Sequence, residues 1–148
     1  MLRLIALAVL SMGMFVAAAA SAEAKVFRGK TSQGRPAAVI IGSDGLLRTA
    51  SVNWRARCRD GRLRDKSYFL PPHDESSPDA FADAGTYRRK DGRFRIRFTA
   101  SIEATRTAGA GGERWSGSFR LKARVTRGGR YVDTCRSGRV RFTVRPSA

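Results

Sequence analysis

Apolar and charged residues alternate one for one through much of this sequence, and that alternation leaves few folds open. Val52, Trp54, Ala56 and Cys58 fall on one parity; Asn53, Arg55, Arg57 and Arg59 fall on the other. Phe94, Ile96 and Phe98 oppose Arg93, Arg95 and Arg97, and Val140, Phe142 and Val144 oppose Arg139, Arg141 and Thr143. Between them, Trp115, Gly117, Phe119, Leu121, Ala123 and Val125 oppose Ser116, Ser118, Arg120, Lys122 and Arg124. Neighbouring side chains of an extended strand point to opposite faces, so a period of two predicts strands with one greasy and one wetted side. Strands of this kind belong to antiparallel sheets.

Asp44-Gly45, Asp60-Gly61, Asp91-Gly92, Gly128-Gly129 and Ser137-Gly138 punctuate these segments. Such pairs accept positive φ at little cost and favour tight hairpins. The spacing predicts strands near 25–31, 36–41, 46–58, 63–70, 84–88, 93–105, 114–126, 130–135 and 139–144, with no helical periodicity after residue 24. About nine antiparallel strands with short turns imply an all-β domain, either an antiparallel β-sandwich or a closed β-barrel. Two stretches interrupt the pattern: the polar, proline-rich Pro71–Asp79 segment and the small-residue tip at 107–112.

The first residues read differently. Met1-Leu2-Arg3 precedes an apolar run from Leu4 to about Ala20, followed by Ala20-Ser21-Ala22 and Ala22-Glu23-Ala24. A short positive segment, an apolar stretch and an A-x-A site form the pattern of a secretory signal peptide. Residues 1–24 are therefore expected to be a cleaved signal helix and 25–148 a single secreted β-domain. The expected location is extracellular, periplasmic or at the cell envelope, with no transmembrane anchor after cleavage.

Cysteine usage agrees. The two cysteines, Cys58 and Cys135, both lie in the mature part, and an even count in an exported chain predicts one disulfide. Loop-closure entropy for so long a loop gives roughly 4.5 kcal/mol as an upper figure. A bridged pair offers neither a nucleophile nor a metal ligand.

The Phe27-Arg28-Gly29-Lys30-Thr31-Ser32-Gln33-Gly34-Arg35-Pro36 segment is one of three characteristic stretches. The others are Trp54-Arg55-Ala56-Arg57-Cys58 with Asp60-Gly61, and Cys135-Arg136-Ser137-Gly138-Arg139-Val140-Arg141-Phe142. In this arrangement the chain resembles uncharacterised secreted all-β proteins of high-GC bacteria that carry a single disulfide. The resemblance implies the fold class and the compartment, and carries no catalytic residue across.

The formal net charge is +17, and arginine supplies 24 of the 29 basic residues. A high-GC genome supplies arginine freely, so the arrangement of these residues says more than their number. They recur at every second position, so each run points one way off its strand. Guanidinium groups hold phosphate and carboxylate bidentately, which makes polyanions the natural ligands. Arg55, Arg57, Arg59, Arg93, Arg95, Arg97, Arg120, Lys122, Arg124, Arg139 and Arg141 are the candidate anion-binding residues. The aromatics Trp54, Phe94, Phe98, Trp115, Phe119 and Phe142 fall on the opposite parity and read as core. Specific nucleic-acid reading, which interleaves aromatics with the basic groove, is therefore not expected.

Catalytic constellations are sparse. His73, the lone histidine, lies in the proline-rich segment beside Asp74 and Glu75, and neither a nucleophile elbow nor a zinc ligand set surrounds it. Asp65, Glu103, Glu113 and Asp133 lie on or near strands and are the candidates for paired-carboxylate chemistry. The sequence reading is a non-enzymatic binding or structural module without metal or cofactor, whose partner is an anionic wall polymer or lipid headgroup. One alternative is an extracellular enzyme inhibitor presenting the 71–83 loop, and another is a carboxylate-based hydrolase. Strand order and oligomeric state are left open.

Overall fold

A computed structural model describes residues 23–70 and 77–147, with 63–70 described as backbone alone. The signal-peptide expectation for residues 1–24 thus falls almost wholly outside the described residues, as do His73, Asp74, Glu75 and the first part (71–76) of the proposed inhibitory loop. Within them the fold is all-β and no helix occurs. Eight strands form one antiparallel sheet: β1 (Lys25–Thr31), β2 (Pro36–Ile41), β3 (Leu47–Cys58), β4 (Leu63–Leu70), β5 (Ala80–Asp91), β6 (Phe94–Thr107), β7 (Arg114–Arg127) and β8 (Arg130–Pro146). The order across the sheet is β4-β3-β2-β1-β8-β7-β6-β5.

The strand count is eight where the sequence predicts nine, because the stretches near 130–135 and 139–144 are one strand. Ser137-Gly138 does not turn the chain. It makes a β-bulge, in which Leu121 faces Gly138 while Lys122 faces Arg136, leaving Ser137 extra. Gly138 supplies the positive φ of 69°, and the Ser137 hydroxyl accepts the Leu121 N–H at 2.9 Å. One extra residue switches parity, so Cys135 and Val140 can both point inward from a single strand. Strand β5 is also longer than the predicted 84–88, and Arg93 sits in the β5–β6 turn rather than on a strand.

The sheet curls. Besides its neighbours β2 and β4, the end of β3 pairs with β8 through Arg57–Arg136 and Cys58–Cys135. It does so by running past the β1–β2 turn, and Gln33 in that turn fills the seam. The Gln33 side chain accepts the Arg55 N–H at 2.6 Å and donates to the carbonyls of Arg55 at 3.0 Å and Ser137 at 3.2 Å. A side-chain amide thereby completes the backbone pairing where β1 and β2 stop.

The inner face carries one core. Phe27, Val39, Val52, Ile102, Trp115, Phe119, Val140 and Val144 are fully buried. Trp54 stacks on Phe119 at 6.1 Å between ring centroids, and Phe81 of β5 packs against Trp115 at 5.4 Å. Strands β6 and β7 approach closely at Gly117, where an added Cβ would lie 2.2 Å from the Glu103 carbonyl oxygen. The two sulfurs are bonded and face each other in register, with the Cα atoms 3.8 Å apart.

Candidate anion-binding face

The residues that could carry function lie on the outer face of β5–β8, and the register decides which of them meet. Each predicted run points outward, as alternation requires, and all eleven candidate side chains are exposed. Arg97 of β6 is directly opposite Arg124 of β7 on one side and Arg88 of β5 on the other. Lys122 of β7 faces Arg136 of β8, which in turn faces Arg57 of β3. Arg120 faces Arg139. With Arg95 of β6 opposite Lys90 of β5, these are four transverse rows of like charge, each crossing two or three strands.

Strands sit about 4.8 Å apart and every second residue along a strand advances about 7 Å, so the cations form a grid on that scale. Like charges directly opposite one another in a sheet destabilise it. Little among the described residues neutralises them. Glu103 reaches the rows, with Arg139 Nη2 3.4 Å from its Oε1. The same oxygen accepts the Ser118 hydroxyl at 2.9 Å. Other ion pairs, such as Arg48–Asp44 and Arg62–Asp60, lie elsewhere.

Not every candidate joins the rows. Arg55 on β3 and Arg59 just past its end flank Arg57, where their backbone groups serve the seam with the β1–β2 turn and β8. Arg93 occupies a turn, and Arg141 faces Ser118. Three cations missed from the sequence complete the rows. Arg88 ends the predicted 84–88 stretch, which shows no run of alternating cations. Lys90 lies beyond that stretch on the longer β5, and Arg136 is visible as an outward residue only once the bulge after it is known. A groove of about 650 Å³ opens at the Glu103 end, over the small residues Ala82, Ser116 and Gly117 and beside Arg139 and Arg141.

The carboxylates named from sequence are engaged separately. Glu113 bridges Lys25, at 3.5 Å, and Arg106. Asp133 is buried beside the disulfide, where its Oδ1 accepts the N–H groups of Arg59 at 2.9 Å and Thr134 at 2.6 Å. Burial pulls that carboxyl upward. The backbone N–H groups of Thr134, Arg59 and Asp60 more than offset this, and its pKa lies below the ordinary value. Cys58, Cys135 and Asp133 converge, but the sulfurs are bonded to each other and the carboxylate is taken up by backbone, so the trio holds the β3–β4 turn to β8. Asp65 falls outside the described side chains. Glu103 and Asp83 both line a smaller neighbouring groove, where Asp83 receives the Tyr87 hydroxyl at 2.9 Å.

The aromatics divide. Trp54, Trp115, Phe119 and Phe142 are core, whereas Phe98 is half-buried and Phe94 is 40% exposed. Phe94 thus departs from the core position that its parity predicts, because no described strand covers the inner face at that end of β6. No known protein family, curated protein or solved structure matches the chain.

Proposed function

We propose that this protein is an exported, disulfide-tied β-domain that binds anionic polymers or headgroups at the cell envelope without catalysing a reaction. The observation that supports this reading is the register of the like-charged rows. A sheet that sets Arg88, Arg97 and Arg124 side by side accepts a repulsion that a mixed surface would avoid. An extended polyanion with charges about 5–7 Å apart would offset that repulsion and match the grid. The Cys58–Cys135 bridge supports export, since such bridges persist outside the reducing cytoplasm. The β3–β8 pairing across the ends of β1 and β2 favours a curled, barrel-like closure over a two-sheet sandwich.

The test is chromatography on immobilised polyphosphate over a salt gradient. Release of several condensed counterions makes such binding steeply salt-dependent. Arg97→Glu with Lys122→Glu is expected to elute at much lower salt than the wild type. Arg48→Glu with Arg62→Glu changes the net charge equally but off the face, and is expected to elute close to wild type. Equal shifts for the two pairs would show that net charge alone governs retention, and the reading would fail.

A further inference from the structure

We infer that the end of the sheet formed by the β5–β6 and β7–β8 turns is a tip that docks on anionic lipid bilayers. This rests on the anion-binding reading and narrows its ligand. Register places both turns at one end, since Phe94 faces Arg127 and Arg127 faces Arg130. The ribbon there outruns the core. On β6 the last fully buried position is Ala100 and the last to pack on the core is the half-buried Ile96, so the strand runs about 7 Å further to Phe94 and the turn beyond it.

Composition at the tip has two parts. Segments 87–98 and 124–132 carry nine basic residues and one acidic residue, Asp91. Among them stand exposed apolar side chains: Tyr87 (41%), Phe94 (40%), Tyr131 (43%) and Val132 (48%). Phe94 lies on the parity of the inner face. Tyr131 lies on the outer one, since it packs with Arg124 and bonds Thr134. Apolar groups on both faces of a projecting end suit endwise entry into an interface, whereas a groove for a peptide would gather them on one side.

The cations are already placed on the rings. The Arg127 guanidinium lies 5.9 Å from the Phe94 centroid and that of Arg124 5.5 Å from the Tyr131 centroid. Aromatic rings at the headgroup level with guanidinium groups reaching phosphate are the usual chemistry of interfacial anchoring. A water-soluble polyanion offers nothing to exposed phenyl and isopropyl groups. Single-stranded nucleic acid would stack bases on open ring faces, and a guanidinium already covers one face of Phe94 and one of Tyr131.

The experiment uses the full mature chain and vesicles of phosphatidylcholine with or without phosphatidylglycerol. The wild type is expected to sediment with the mixed vesicles and to stay behind with phosphatidylcholine alone. Phe94→Ser with Tyr131→Ser removes exposed groups and is expected to weaken vesicle binding roughly tenfold, on the scale of partial burial of two aromatic side chains, with polyphosphate retention unchanged. Phe94→Trp supplies an optical readout, because the native Trp54 and Trp115 are buried. Its emission is expected to shift to the blue on adding mixed vesicles. Polyphosphate binding without vesicle binding would overturn the bilayer inference and leave the anion-binding reading standing. Full vesicle binding by the double variant would overturn it in the same way. So would aromatic-dependent binding of single-stranded oligonucleotide in place of vesicles. Failure to bind either probe would overturn the underlying reading as well.

Discussion

Val52-Trp54-Ala56-Cys58 and Phe94-Ile96-Phe98 have the same written pattern, apolar on one parity and arginine on the other, yet they end in different environments. The β3 set is buried throughout. Of the β6 set, Phe94 is exposed and Ile96 and Phe98 are half-buried. Alternation tells which face of a strand is greasy. It does not tell whether another strand lies across that face, because cover comes from residues far away in sequence. Strand β3 gains its cover from the curl that brings it to β8 and sets Trp54 on Phe119, while the end of β6 has passed beyond that curl.

Truncating one aromatic in each region gives the largest expected contrast. Phe119→Ala leaves a cavity in the closed part of the core and is expected to cost about 3–5 kcal/mol. Phe94→Ala removes an exposed ring and its contact with Arg127, and is expected to cost no more than about 1 kcal/mol. Urea unfolding midpoints with unchanged slopes are the measurement. Comparable losses would mean that the tip is covered after all, and the contrast would disappear.

The disulfide marks the border between the regions. Beyond Cys135 toward residue 130 lies the tip; on the other side, β8 joins the core. Cys58→Ser with Cys135→Ser is expected to cost about 2–5 kcal/mol, in line with the roughly 4.5 kcal/mol of loop-closure entropy. Proteolysis of the variant, followed by mass spectrometry, should show early cleavage where β3 meets β8. Cuts confined to the β5–β6 turn would place the weak point elsewhere.

The pairing of the two cysteines, the all-β class and the inward or outward sense of most strands were legible in the sequence, because each follows from local parity or a count. Ser137-Gly138 was not legible as a bulge. A serine–glycine pair suits a hairpin as well, and only the continuity of β7 opposite distinguishes them. The rows of the candidate face were half legible. Arg97 and Arg124 could be assigned to the same kind of surface from alternation, but their opposition is a matter of register, set by the length of the β6–β7 hairpin. Gln33 carried no signal at all, since a lone glutamine in a turn has no pattern and its partners, Arg55 and Ser137, come from two distant strands.

Acid should find the border too. The Asp133 pKa is lower in the folded chain than the ordinary carboxylate value that applies when the chain is unfolded. Its contribution is therefore complete above the unfolded value and is lost as pH falls through the folded one. Wild-type stability should decline on acidification below about pH 4. Asp133→Asn should begin lower at neutral pH and show a shallower decline, because the amide has no proton to gain. This loss is expected to be smaller than that of the disulfide, since the amide would retain a carbonyl oxygen for the N–H groups of Arg59 and Thr134. Parallel pH profiles for the two proteins would remove Asp133 from the account of the border.

The smallest effect has the opposite sign and bears most directly on function. Arg97 stands between Arg88 and Arg124, so Arg97→Glu turns two repulsive cross-strand pairs into attractive ones. Each such pair is a matter of about 0.2–1 kcal/mol, and the variant should gain about 1 kcal/mol in stability at low salt, with the gain shrinking as screening rises. The same change removes the central cation of the row and should lower retention on polyphosphate. A surface that is basic only because outward positions must be polar would gain stability and lose no more polyanion retention than Arg48→Glu, which changes the net charge equally off the face. A row kept for binding would show the gain and the loss together, so that its repulsion in the free protein is the cost of complementarity to an anionic ligand.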